Sequence, residues 1–302
     1  NADCRYHVEH SRTTEPPAAL CRRLFLHIES RCTMNRKPQR PERLLADATS
    51  NTKLRKSQTQ DYRIVSLSLS PADEAGTGKS NCPAATAGCV ACCVGSPRTG
   101  MAQVFNTIMQ SRIAKTKWLQ EDREGFIRHL LGEIHTEEKK ANADGRKLVV
   151  RLNTFSDIPW EVAAYGCIPQ CFNDVIFYDY TKIHSRVWSA PSNYHLVGSW
   201  SEKPEHQAAC AELLLAGHNV AVSFATSAGG TGWKAYDQTL PQWCELHGHR
   251  FNVLDGDISD LRFEDCGPSR SGRGNVIGLR LKAGSNATRA AAIDAGFAIW
   301  RG

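Results

Sequence analysis

Short apolar runs recur along most of this chain, and each ends in polar or charged residues. They lie at 62–69, 148–152, 175–178, 194–197, 220–224, 251–254 and 276–281. Runs of this length, rich in β-branched and aromatic residues, predict strands. The intervening segments have a helical period instead. Residues 102–119 and 121–143 predict two long helices, the second with Phe126, Ile127, Leu130, Leu131 and Ile134 on one apolar stripe and Gly145 at its end. Pro204 and Gly217 bracket a further helix. Strand, helix and strand at this spacing imply right-handed crossovers and parallel pairing. The expected fold is α/β, a (β/α) barrel or partial barrel built on a parallel sheet, with a doubly wound open sheet as the competitor. Residues 61–302 are expected to form a single α/β domain.

Composition narrows the function classes. Of 302 residues, 41% are apolar and 23% charged, which fits a globular chain and excludes disorder. No stretch approaches ~18 consecutive apolar residues, so no spanning helix is expected. The net charge of +6 is local: residues 34–60 carry seven Lys/Arg against two Asp/Glu, while 61–302 carry 25 of each sign. Residues 34–60 therefore read as a basic flexible arm, through Arg36, Lys37, Arg40, Arg43, Lys53, Arg55 and Lys56, that could touch the phosphates of a nucleic acid. A solubilising tail is the alternative. The first Met is Met34, so residues 1–33 are expected to be an upstream extension. No signal-peptide layout is present, which gives a cytoplasmic expectation, with free thiols or ligands rather than disulfides among the cysteines after Met34.

The sharpest local signal is Cys82-Pro-Ala-Ala-Thr-Ala-Gly-Cys89-Val-Ala-Cys92-Cys93. Cys82, Cys89 and Cys92 stand at C-x6-C-x2-C on a loop of small residues directly after the first strand. Small residues let backbone amides approach bound sulfurs, and three thiolates without a nearby fourth ligand suit a cluster or metal with an open site. Zinc and buried thiols are the alternatives. Cys167, Cys171, Cys210, Cys244 and Cys266 read as structural.

In parallel α/β folds, ligands bind at the C-terminal ends of the strands. Asp157, Asp179, Lys182, Glu202, Asp255 and Asp257 all follow apolar runs and are the candidate substrate-positioning residues. Asp255-Gly-Asp257-Ile-Ser-Asp260 could bind Mg²⁺ or a ribose, or form salt bridges with Arg262. Gly76-Thr-Gly-Lys-Ser80 lacks the glycine a phosphate loop needs, since Asp73 stands there. His247-Gly-His249 reads as an exposed loop pair.

Taken together, Asn51-Thr-Lys-Leu54, Ser66-Leu-Ser-Leu-Ser-Pro-Ala72, the cysteine loop, Ser156-Asp-Ile-Pro-Trp-Glu161, Phe177-Tyr-Asp-Tyr-Thr-Lys182, Asn193-Tyr-His-Leu196 and Asp255-Gly-Asp-Ile-Ser-Asp-Leu-Arg262 resemble the bacteriophage and plasmid "gene product 88" domain family. The resemblance covers roughly residues 50–302 and implies a mobile-element protein. The cysteine loop is also similar to that of phage proteins likened to radical S-adenosylmethionine (SAM) enzymes. That similarity implies a [4Fe-4S] cluster on Cys82, Cys89 and Cys92 and SAM at its open iron; the basic arm and the mobile-element setting give a nucleic acid or nucleotide as the expected substrate. The spacing here is x6-x2 where those enzymes use x3-x2. A DNA-binding protein of replication or transfer with structural cysteines or zinc, and a metal-dependent nuclease using Asp255 and Asp257, are the alternative readings.

Overall fold

The structure is a computed structural model that describes residues 40–47, 61–97, 106–226, 239–265 and 272–301. The strands are β1 Leu45–Asp47, β2 Tyr62–Leu67, β3 Lys147–Arg151, β4 Ile176–Thr181, β5 Tyr194–Ser199, β6 Val220–Thr226, β7 Trp243–Leu246, β8 His249–Asp255, β9 Val276–Arg280 and β10 Ala298–Arg301. The helices are α1 Ala87–Ala91, α2 Asn106–Glu121, α3 Arg123–Ala143, α4 Ser185–Ser189, α5 Pro204–Leu215 and α6 Asn286–Asp294.

All ten strands join one sheet in the order β1-β2-β3-β4-β5-β6-β9-β8-β7, and β10 also pairs with β6. Pairing is parallel from β2 through β6 to β9 and β8. Only β1 on β2 and β7 on β8 are antiparallel. Strands β2 to β6 lie side by side in chain order, without the reversal that marks the switch point of a doubly wound sheet. The sheet does not close. The outermost strands β1 and β7 are antiparallel additions at opposite edges, so the closed barrel that was one expected form is absent.

Alternation along each strand divides the side chains between two faces. Val65, Leu67, Leu148, Val150, Phe177, Val220 and Val222 form one face, packed with Phe126, Leu130, Leu131 and Ile134 of α3 and Leu213 and Leu214 of α5. Asp122 separates α2 from α3 and caps the latter by accepting from Gly125 N at 3.1 Å. On the opposite face, Ile64, Val149 and Tyr178 pack against Leu261. Leu261 belongs to the segment after β8, which crosses the sheet and buries Asp260 completely.

Part of the expected flexible arm is built into the fold. Leu44 and Leu45 are buried, and β1 pairs with β2. Arg40 binds Asp122 at 2.7 Å and Arg43 reaches Glu137 at 3.3 Å, so two of the arm's cations are engaged internally. The other five lie outside the described residues, as does the upstream extension. Three short strands, β1, β7 and β10, add to the seven expected from the apolar runs. No helix among the described residues is long and apolar enough to cross a membrane.

Candidate functional site

The cysteine loop leaves β2 at its C-terminal end and is pinned from several sides. Asn81 is buried and donates to Ser70 O at 2.8 Å and Thr116 Oγ1 at 3.2 Å. Its carbonyl accepts from Asp157 N at 2.9 Å, which joins the loop to the segment after β3. Cys82 Sγ accepts from Ala72 N and donates to Phe155 O, each at 3.4 Å. Thr86 then caps α1, accepting from Cys89 N at 3.3 Å. Gly88 has no room for a side chain, since a Cβ would lie 2.6 Å from Phe297.

Cys89 and Cys93 each lie near enough to Cys82 and to Cys92 for their charges to act on them. Burial, reinforced by neighbouring sulfurs, pushes the Cys82 thiol up to about 12 and Cys92 to about 11. Both are neutral at pH 7. Cys92 packs among Ala225, Leu281, Ala292, Phe297 and Ala298. Among the described residues, no three His, Cys, Asp or Glu side chains stand around a common point suited to a metal ion. The donor chemistry suits a soft metal, and taking one up requires the sulfurs to draw together and lose their protons.

Two expected site residues lie beside α1. The Glu202 carboxylate, just after β5, accepts from Thr86 Oγ1 at 2.7 Å and Gly88 N at 2.8 Å. These bonds and the Lys182 charge hold it below the usual glutamate range, against the opposing effect of burial. Lys182 Nζ lies 5.7 Å from the centre of the Phe297 ring. A cleft of about 690 Å³ opens between α1 and the start of α6, lined by Thr86, Ala87, Val90, Ala91, Ser285 and Thr288.

Asp157 and Asp179 are engaged elsewhere. Alternation in β4 sets Asp179 on the helix-covered face with Phe177. There it accepts from Asn153 N and Tyr194 Oη, both at 2.8 Å. Burial raises Asp179 to about 7, against the pull of Arg151. Asp157 binds Arg186 at 2.5 Å, and Arg186 also grips Glu161 through two nitrogens at 2.7 and 2.9 Å. Asp255 makes a two-pronged pair with Arg280, both contacts at 2.8 Å. Asp257 reaches the same guanidinium at 3.3 Å and Lys282 at 3.4 Å. The carboxylate run thus forms salt bridges, with Arg280 rather than with Arg262. Arg262 instead pairs with Asp265 at 3.3 Å, and Asp260 with Arg151 at 2.7 Å.

Several polar groups carry no obvious signal in the sequence. On the face opposite the helices, the buried Tyr180 hydroxyl has no hydrogen-bond partner among the described residues, and the Arg151 guanidinium lies 5.2 Å from its ring. Arg112 stacks on Phe155 at 4.0 Å and donates to Gly95 O at 2.8 Å. His247 and Gly248 form the tight turn between β7 and β8, both with positive φ. Cys171 is disulfide-bonded, which departs from its reading as a thiol.

No curated protein and no solved structure matches the chain. A family model does, over residues 43–300, taking in both β1 and the cysteine loop, and by that match the chain belongs to the gene product 88 family.

Proposed function

We propose that this gene product 88 chain is an iron–sulfur enzyme of radical-SAM type, holding a [4Fe-4S] cluster on the loop of Cys82, Cys89 and Cys92 at the mouth of a partial (β/α) barrel. One observation carries the reading. Cys82, Cys89 and Cys92 are free thiols on one small-residue loop at the C-terminal end of β2, the first of a set of parallel strands laid down in chain order. This is the edge where α/β proteins place ligands, and the sequential order of β2 to β6 reads as barrel winding. When bound, such a cluster supplies one electron to SAM for cleavage to a carbon radical.

The chain's own groups have definite tasks in this reading. Glu202 fixes the helix that carries Cys89, and Lys182 sets a cation beside the mouth. The cleft between α1 and α6 has the size of a small-molecule site. A nucleic acid or nucleotide is the proposed substrate class, drawn by Arg36, Lys37, Lys53, Arg55 and Lys56 and consistent with a mobile-element family.

Anaerobic purification from iron-replete cells, followed by iron and sulfide analysis, tests the cluster. Bound iron and sulfide in near-equal amounts are expected. A colourless protein, or stoichiometric zinc, overturns the reading. Incubating the reduced protein with SAM then tests the enzyme class, with 5′-deoxyadenosine as the expected product. Its absence across nucleic-acid and nucleotide substrates rejects that class while leaving an iron–sulfur protein.

A further inference from the structure

On the face of the sheet opposite the helices, the ends of β3 and β4 hold a set of hydrogen-bond donors that the fold only half uses. Tyr178 and Tyr180 alternate onto that face, and Arg151 closes β3 beside them. The Arg151 guanidinium lies 5.8 Å from the Tyr178 ring centre and 5.2 Å from that of Tyr180, within reach of both phenols. One oxygen of Asp260 takes two of the donors, Arg151 Nη1 at 2.7 Å and Tyr178 Oη at 2.9 Å. Two more are left over. Arg151 Nε lies 3.9 Å from Asp179, beyond hydrogen-bond reach, and the Tyr180 hydroxyl has no partner among the described residues. Both atoms are buried.

A buried donor without an acceptor costs stability and is rare in a native fold. Two of them beside a carboxylate that already serves their neighbours call for an acceptor with more oxygens than Asp260 offers. A bound oxyanion supplies these, and it replaces the Asp260 charge beside Arg151. Phosphate, with several terminal oxygens, matches donors spread over Arg151, Tyr178 and Tyr180 better than a carboxylate does. The segment that carries Asp260 is itself loosely held. Ile258 is 73% exposed, and Nε and Nη1 of Arg262 make no hydrogen bond among the described residues, though Nη1 lies 3.3 Å from Asp265. We propose that Arg151, Tyr178 and Tyr180 form a phosphate-binding cradle, held by Asp260 until the phosphate group of a ligand displaces it. The cradle stands at the C-terminal ends of parallel strands, where α/β folds bind such groups. It is separate from the cysteine loop and does not depend on the iron–sulfur reading.

The test titrates the full-length protein with inorganic phosphate, against sodium chloride of equal ionic strength, and follows the melting temperature. Asp260→Ala removes the resident carboxylate and is expected to half-saturate at a phosphate concentration roughly tenfold or more below that of the wild type. Adding Tyr180→Phe to that variant removes one unused donor. It is expected to weaken phosphate about tenfold, the usual worth of a hydrogen bond to a charged group, without lowering the melting temperature in chloride. Adding Arg151→Met to Asp260→Ala instead is expected to abolish the phosphate response. An Asp260→Ala protein that responds no better than the wild type overturns the proposal, as does a response that Tyr180→Phe or Arg151→Met leaves unchanged. If Asp260→Ala does not fold, Tyr180→Phe alone decides. The wild type is then expected to need several times less phosphate than this variant, and equal responses overturn the assignment.

Discussion

The Glu202 carboxylate accepts the Thr86 hydroxyl at 2.7 Å, across 116 positions of sequence. One side chain from the end of β5 thereby holds the cap of the cysteine helix, and its second oxygen takes Gly88 N at 2.8 Å. Hydrogen bonds to charged groups contribute ~1.5–3 kcal/mol each. Glu202→Ala should therefore loosen α1 more than the rest of the fold. Timed alkylation of Cys89 in the native protein is expected to quicken severalfold, with a smaller fall in global stability. Unchanged labelling would show that the loop is held by Asn81 and Gly88 alone.

Arg186 joins Asp157 and Glu161 within the protein, and all three side chains are nearly inaccessible. Removing the cation strands two buried carboxylates. Arg186→Met is expected to cost ~3–5 kcal/mol in urea denaturation, the usual penalty for breaking a buried pair from one side. A loss under ~1 kcal/mol would mean that water reaches the network.

Tyr180 provides the opposite case. Its hydroxyl is buried without a partner among the described residues, and burial raises it above the usual tyrosine range. Tyr180→Phe removes an unsatisfied group and should leave stability unchanged or raise it by up to ~1 kcal/mol. The same change at Tyr194, whose hydroxyl binds Asp179 at 2.8 Å, should destabilise. Equal effects at the two positions would contradict this contrast.

Attachment of β1 should depend on pH. Glu133 accepts from Leu44 N at 2.7 Å and Leu45 N at 2.8 Å, and pairs with His129 at 2.8 Å. Burial alone would raise Glu133, but the bonds from His129 and the two amides outweigh it and lower it. The bond to Glu133 in turn raises His129. A depressed glutamate contributes stability above its unfolded value that is lost as pH falls through the folded one. A raised histidine contributes stability below its unfolded value that is lost as pH rises through the folded one. The pair should therefore help most between about pH 4.3 and 6.5. Thermal melts across pH, compared with Glu133→Gln, check this: the variant should lose the maximum, and parallel curves would refute it.

Much of this architecture is readable from residue pattern alone, and the exceptions have physical reasons. The stripe of Phe126, Leu130 and Ile134 and the closing Gly145 mark α3 because a buried helix face and a left-handed cap each demand particular residue types. Strands β1 and β10 escape notice because three or four residues carry no detectable period. The site is harder to read. Asp179 follows an apolar run, yet alternation from Phe177 already assigns it to the helix side of the sheet. Arg186 has no pattern of its own, since its partners Asp157 and Glu161 meet it only through the fold. The packing of Cys92 against Phe297 likewise comes from a contact that no spacing encodes.

The pairing of β6 bears on how the chain is made. On one edge β6 meets β5 only at Val220 and Ala221, and β10 takes over from Ser223 to Thr226. A middle strand thus gets half of one side from residues at 298–301, about 75 positions downstream. On the ribosome, one edge of β6 from Ser223 to Thr226 lacks its native strand partner until those residues emerge.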